Sequence, residues 1–188
     1  SEALLQSRRV WSRRIIHHPN VADYAHFSQA RCKSLDLADE LLHIPRPRLG
    51  FIGALSTYKI DLGLIAALAD RRPDWSWVLV GPTGEGEQAA DLSVLLARSN
   101  VHWLDVQPYE RLPSLLKGFD VGLLPLRCNA YTEAMFPMKF FEYLAAGIPV
   151  VSTPIRSLRR YGHLVQFPVS EQPQAWEQAI LAALDDTE

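Results

Sequence analysis

Apolar residues fall along this chain in short continuous runs, separated by amphipathic stretches of about ten residues. Runs such as Val78-Leu79-Val80 and Val121-Gly122-Leu123-Leu124 lack the polar alternation of a sheet with one wet face, so they suit strands covered on both sides. The pattern predicts strands at residues 49–55, 76–80, 101–104, 121–125, 150–152 and 164–167. It predicts helices at 61–70, 87–97, 110–118, 138–146 and 174–184. Strands alternating with helices imply βαβ units and a parallel sheet. The expected fold is α/β, a doubly wound, Rossmann-like domain with a parallel sheet of about six strands. Upstream, His17-His18-Pro19-Asn20 reads as a turn, Asp23 to Phe27 as a helical turn, and residues 44–48, with two prolines, as an extended connector. We therefore expect a linker packed on the domain at 1–48 and the Rossmann-like domain at 49–188.

Chemistry concentrates in the segment from Phe136 to Val151. Pro137 suits a first helical turn, where its missing N–H costs nothing, and Gly147 suits the left-handed position past the helix end. Pro149 forbids continuation, and Val150-Val151 opens a strand. The free N–H groups and dipole of this helix start, at Phe136, Pro137 and Met138, suit a phosphate. Lys139 and Glu142, three apart, share one face. A carboxylate one turn into the helix can accept hydrogen bonds from two vicinal hydroxyls, as on a ribose. The plain alternative is a surface Lys–Glu pair at i,i+3.

In a doubly wound sheet, ligands bind outside the carboxyl ends of the strands. After the first strand, Gly53 lets backbone approach a phosphate, and Lys59 can reach an anion as a point charge. The loop Gly81-Pro82-Thr83-Gly84-Glu85-Gly86-Glu87 lacks the dinucleotide fingerprint, and its two acids would repel a pyrophosphate. Arg127 and Asn129 follow the fourth strand, where they either bind sugar hydroxyls or pack in the loop. Asp120 reads as a structural cap, and Trp75, Trp77 and Trp103 as packing residues. His17-His18 and His102 have no partner at metal spacing, and no Ser/His/Asp or Cys/His constellation or Gly-x-Ser-x-Gly appears.

Composition bounds the reading further. A chain of 188 residues can bury a proper core, and a formal net charge of −2 without a basic aromatic patch argues against a nucleic-acid partner. No apolar run approaches the ~20 residues of a membrane span. Cys32 and Cys128 are expected to be buried and reduced, in a cytoplasmic protein. The chain starts without an initiator Met or a signal peptide, and we expect it to be a fragment.

The run Pro137-x-Lys139-x-x-Glu142-Tyr143-x-Ala145-x-Gly147-x-Pro149-Val150 resembles the nucleotide-binding motif of retaining GT-B glycosyltransferases. Gly53, Leu55 and Lys59 match that family's Gly-Arg-Leu-x-x-x-Lys element, with Ala54 in place of the Arg. The stretch from His18 to Phe27 is similar to its Pro-Asn-Gly-Val-Asp-x-x-x-Phe with the Gly missing, and Ser1-Glu2-Ala3-Leu4 to its lobe-crossing segment. The resemblance implies one lobe of a GT-B fold, the C-terminal one that binds the donor. It implies a ribose-binding Glu142, and a diphosphate site at Gly53, Lys59, Phe136, Pro137, Met138 and Lys139. It also implies a nucleobase beside the backbone at Val106, and a glycine loop at Gly81 that shapes the base pocket. Counting the family's Glu-x7-Glu back from Glu142 lands on Ala134, so Glu133 is the candidate donor-sugar contact. No other catalytic residue is assigned to this lobe. The donor would be a UDP- or GDP-sugar, with no metal or other cofactor. The acceptor, a glycan, lipid or small molecule, would be held by a separate N-terminal lobe, and peripheral membrane association would follow for the whole protein. Without that lobe the chain is expected to be inactive. The alternatives are a lobe of a GT-B-like sugar-nucleotide epimerase and a degenerate interaction lobe.

Overall fold

In the computed structural model, which describes residues 2–12, 14–16, 18–85 and 90–186, five parallel strands form one sheet. They are β1 (Arg48–Ile52), β2 (Ser76–Val80), β3 (Val101–Trp103), β4 (Val121–Leu124) and β5 (Val150–Ser152), in the order β3-β2-β1-β4-β5. Every residue of β1, β2, β4 and β5 is buried, as unbroken apolar runs require of a sheet covered on both faces. The helices are α1 (Glu2–Arg8), α2 (Tyr24–Phe27), α3 (Leu62–Arg71), α4 (Ser93–Leu96), α5 (Leu112–Leu116), α6 (Ala130–Ala134), α7 (Met138–Ala146) and α8 (Pro173–Asp185). α3 packs with α4 and α8, and α2, α5 and α7 pack with one another; right-handed crossovers place α3 and α4 on one face of the sheet and α5 and α7 on the other. Strand order reverses between β1 and β4, the place at which doubly wound sheets form a crevice for ligands.

Three expectations need correcting. The sixth strand is absent: residues 164–167 supply a single bridge, Val151 to Gln166, with Gln166 N–H donating to the Val150 carbonyl at 2.9 Å. A turn at Arg159–Tyr161 delivers the chain there and Pro168, which has no N–H, follows at once, so no ladder can extend. The helix expected at 87–97 is reduced to α4, and residues 86–89, including Gly86 and Glu87 of the glycine loop, lie outside the described residues. So do Ser1 and His17, and the side chains of residues 2–4. Cys32 and Cys128 are exposed, because each lies in a surface connection and not on an inward helix or strand face.

The linker shares the core. Phe27, Ala30, Ala38, Leu41 and Ile44 are buried with the sheet residues. Its end is fastened at the amino edge of the sheet, away from the strand exits. There the buried Arg48 donates to the carbonyls of Ile44 and Leu41, each at 2.7 Å, while its backbone N–H donates to Asp120 Oδ2 at 2.7 Å. Arg46 pairs with the same carboxylate, which makes Asp120 a structural residue.

Candidate functional site

Two glycines shape the strand exits. Gly53 (φ +153°) donates to the Val80 carbonyl at 2.8 Å, and Gly81 (φ +133°) donates to the Asp105 carbonyl at 2.8 Å. A Cβ on Gly81 would run into the Gly53 backbone, so the β1 and β2 exits touch main chain to main chain. Beyond Gly53 a turn forms on the Ser56 carbonyl, which accepts from Lys59 N–H at 3.0 Å and Ile60 N–H at 2.8 Å. The Lys59 carbonyl accepts from Arg127 N–H at 2.8 Å, and Ile60 bridges Leu126, so the exits of β1 and β4 hold the Lys59 backbone.

The Lys59 ammonium is walled in. It pairs with Glu85 and sits 5.4 Å from the Tyr58 ring centroid and 5.2 Å from that of Tyr131. Tyr131 is carried by α6, a helix started by Asn129, whose Oδ1 accepts from Tyr131 and Thr132 N–H while its Nδ2 donates to the Tyr58 carbonyl at 2.6 Å. Asn129 is therefore a cap and a tether. With Arg127, Thr153 and Glu171 it lines a cavity of about 400 Å³ beside the β4 exit.

The other half of the site is α7. Pro137 is its N-cap (φ −74°, ψ 113°), one position before the first helical residue, and Gly147 closes it in the left-handed conformation (φ 76°, ψ 26°). Lys139 Nζ and Glu142 Oε2 lie 2.8 Å apart. Glu142 is only 4% exposed, which sets the pair apart from an ordinary surface pair. Next to it, the Tyr143 hydroxyl accepts from Ile52 N–H at 2.9 Å. The Phe136 carbonyl accepts from Asn20 Nδ2 at 3.0 Å, and the Phe136 ring stacks on Phe141 at 5.1 Å.

The remaining candidates lie around these two elements. Val106 is exposed after β3, and its N–H donates to Asp105 Oδ1 at 2.7 Å. Nearby, Tyr109 stacks on His26 at 4.1 Å. Desolvation, and then the Asp23, Glu142 and Glu110 carboxylates, push its phenol upward. Glu133, on α6, accepts from Arg156 N–H at 3.3 Å. Lys139 and Glu142 are thus in contact, whereas Lys59 and Glu133 each have other partners.

Sequence reasoning missed Glu85, Asn20 and Tyr143. Tyr143 was signalled by its place in an apolar helix, since a buried phenol needs a hydrogen-bond partner. Nothing in the spacing of the glycine loop signals a partner for its acids, and Glu85 finds a lysine from the β1 exit.

The sequence resembles known proteins over most of its length. Over 109 residues it is 37% identical to the teichuronic acid biosynthesis glycosyltransferase TuaH of Bacillus subtilis (strain 168), covering 58% of this chain and 27% of that one. Its fold is similar to sucrose-phosphate synthase from Thermosynechococcus elongatus (TM-score 0.73, 18% identity), covering 99% of this chain and 48% of that one. It is also similar to Anabaena Alr3699/HepE, solved in complex with UDP (TM-score 0.61, 21% identity), covering 89% and 45%. The chain thus spans half or less of the length of these relatives. The model of the glycosyl transferases group 1 family matches residues 46–186, and the chain belongs to that family.

Proposed function

We propose that this chain is the donor-binding lobe of a retaining glycosyltransferase that takes a sugar from a UDP- or GDP-sugar to a glycan, lipid or small-molecule acceptor. The observation that carries the reading is the burial of Glu142 beside Lys139, one turn into a helix at the ligand-binding edge of the sheet. A carboxylate withdrawn from water costs stability unless its contacts repay it, and a ribose diol offers it two donors. The complexes of HepE with UDP and UDP-glucose support a uridine nucleotide as the first candidate. The name of TuaH supports a polysaccharide acceptor.

In this reading the chemistry is leaving-group stabilisation. Negative charge developing on the departing diphosphate is met by Lys139, Lys59 and the free amides of Met138 and Lys139 at the start of α7. Pro137 has no N–H to offer. Both lysines now hold a carboxylate, so a bound diphosphate takes the place of Glu85 on Lys59. Glu142 fixes the ribose and so places the anomeric carbon. Glu133 stands as the donor-sugar contact, the Val106 backbone beside the base, and no metal is required. Acceptor positioning and exclusion of water fall to a second lobe, so the chain alone transfers no sugar.

Calorimetry with UDP, GDP, ADP and CMP tests the reading. Weak binding of UDP or GDP is expected. No binding of any of the four at millimolar concentration would overturn it.

A further inference from the structure

The crevice between β1 and β4 holds a side chain that the proposed donor chemistry does not use. The β1–β4 ladder pairs only Leu49 with Val121 and Gly50 with Gly122, so the two strands part before Ile52. The Ile52 N–H would be left buried without a carbonyl partner at that point. It donates instead to the Tyr143 hydroxyl at 2.9 Å. Tyr143 is fully buried, and its ring lies across Gly122, where an added Cβ would stand 2.5 Å from it. One phenol thus joins the middle of α7 to the last residue of β1. On one side its neighbour in sequence is Glu142, and on the other the bonded amide directly precedes Gly53.

We propose that Tyr143 is a positioning residue that sets the phosphate loop beginning at Gly53 in register with the ribose-binding face of α7. The inference rests on the donor-site reading above. A nucleoside diphosphate must touch Glu142 through its ribose and Lys59 through its phosphates at once. The gain from making both contacts depends on how well the two elements are held relative to each other. Backbone bonds hold the Lys59 turn to β4 and the Gly53 amide to β2. The Tyr143 hydroxyl supplies the tie from β1 to α7. Burial pushes the phenol far upward, so it stays neutral and the tie does not vary with pH over the working range.

Tyr143→Phe removes the hydroxyl and keeps the ring over Gly122. UMP and UDP binding to the 188-residue chain should be measured by calorimetry, with folding checked by its thermal transition. We expect the Kd for UDP to rise about tenfold and that for UMP about twofold or less, because only UDP reaches across both elements. A purely structural role would weaken both nucleotides equally, and either that result or unchanged affinities would overturn the proposal. If the variant does not fold, the unmodified chain still gives an answer through hydrogen exchange. Saturating UMP should slow exchange of the Ile52 amide, and an unaltered rate would overturn the tie. Failure of the unmodified chain to bind UDP would instead remove the donor-site reading itself, and the register with it.

Discussion

Glu85 neutralises Lys59 across the mouth of the β1 exit. Two anions cannot share one ammonium at full strength, so this carboxylate competes with any phosphate that comes to the lysine. Glu85→Gln should therefore tighten UDP binding by about threefold to tenfold at low salt, with the gain shrinking as salt is added. Titration at two ionic strengths checks this. An affinity that stays the same or falls would mean that Glu85 holds Lys59 in its working position.

The paired residues of α7 separate by ligand. Glu142→Gln should weaken a ribonucleotide by about 1–3 kcal/mol and leave free pyrophosphate nearly untouched, since the carboxylate serves the sugar. Lys139→Ala should weaken both ligands, and more at low salt than at high. Equal UDP affinity in the wild type and in Glu142→Gln would reduce the buried carboxylate to a structural partner of Lys139.

Arg48 should divide stability from binding. Replacing it with Met leaves the carbonyls of Leu41 and Ile44 without their donor, at a cost of about 3 kcal/mol in urea unfolding. It lies at the amino edge of the sheet, so the folded fraction should bind UDP as the wild type does. A loss of affinity matching the loss of stability would contradict this separation.

Acid should act through His102 on β3. Burial holds its imidazole below the ordinary value, so near-neutral pH finds it uncharged in the fold. The unfolded chain takes up its proton first, at about pH 6.5. Stability contributed by the neutral ring is present above that pH and is lost as pH falls toward the folded value. Thermal transitions between about pH 5 and 7 should show the decline, and His102→Gln should flatten it. An identical profile in the variant would assign the decline to other groups.

The best-read part of the sequence was α7, where Pro137, Gly147 and Pro149 mark both ends through backbone constraints that packing does not alter. The strands of the sheet were legible for a similar reason, since a run such as Val78-Leu79-Val80 is tolerated only with cover on both faces. Residues 164–167, apolar but for Gln166, also look like a strand, yet they form one bridge, because pairing depends on the direction from which the chain arrives. The short helix α6 went unseen although Asn129 and Thr132 spell a capping box. The Lys59–Glu85 and Tyr143–Ile52 contacts join distant segments, and no spacing rule reports such a meeting.

The seat of the Tyr143 ring on Gly122 has an evolutionary reading. On these sterics, positions 122 and 143 should be inherited as one character. While an aromatic ring occupies 143, any side chain at 122 collides with it, and while 122 is glycine, losing the ring opens a hole against the sheet. Relatives that change one should change the other in the same lineage. Gly50, which leaves room for the ring of Phe119 in the connection just before β4, forms a second couple of this kind. Descent through single substitutions at any of these four sites passes through a weakened protein, so the glycines at the centre of the sheet should change more slowly than their small size suggests.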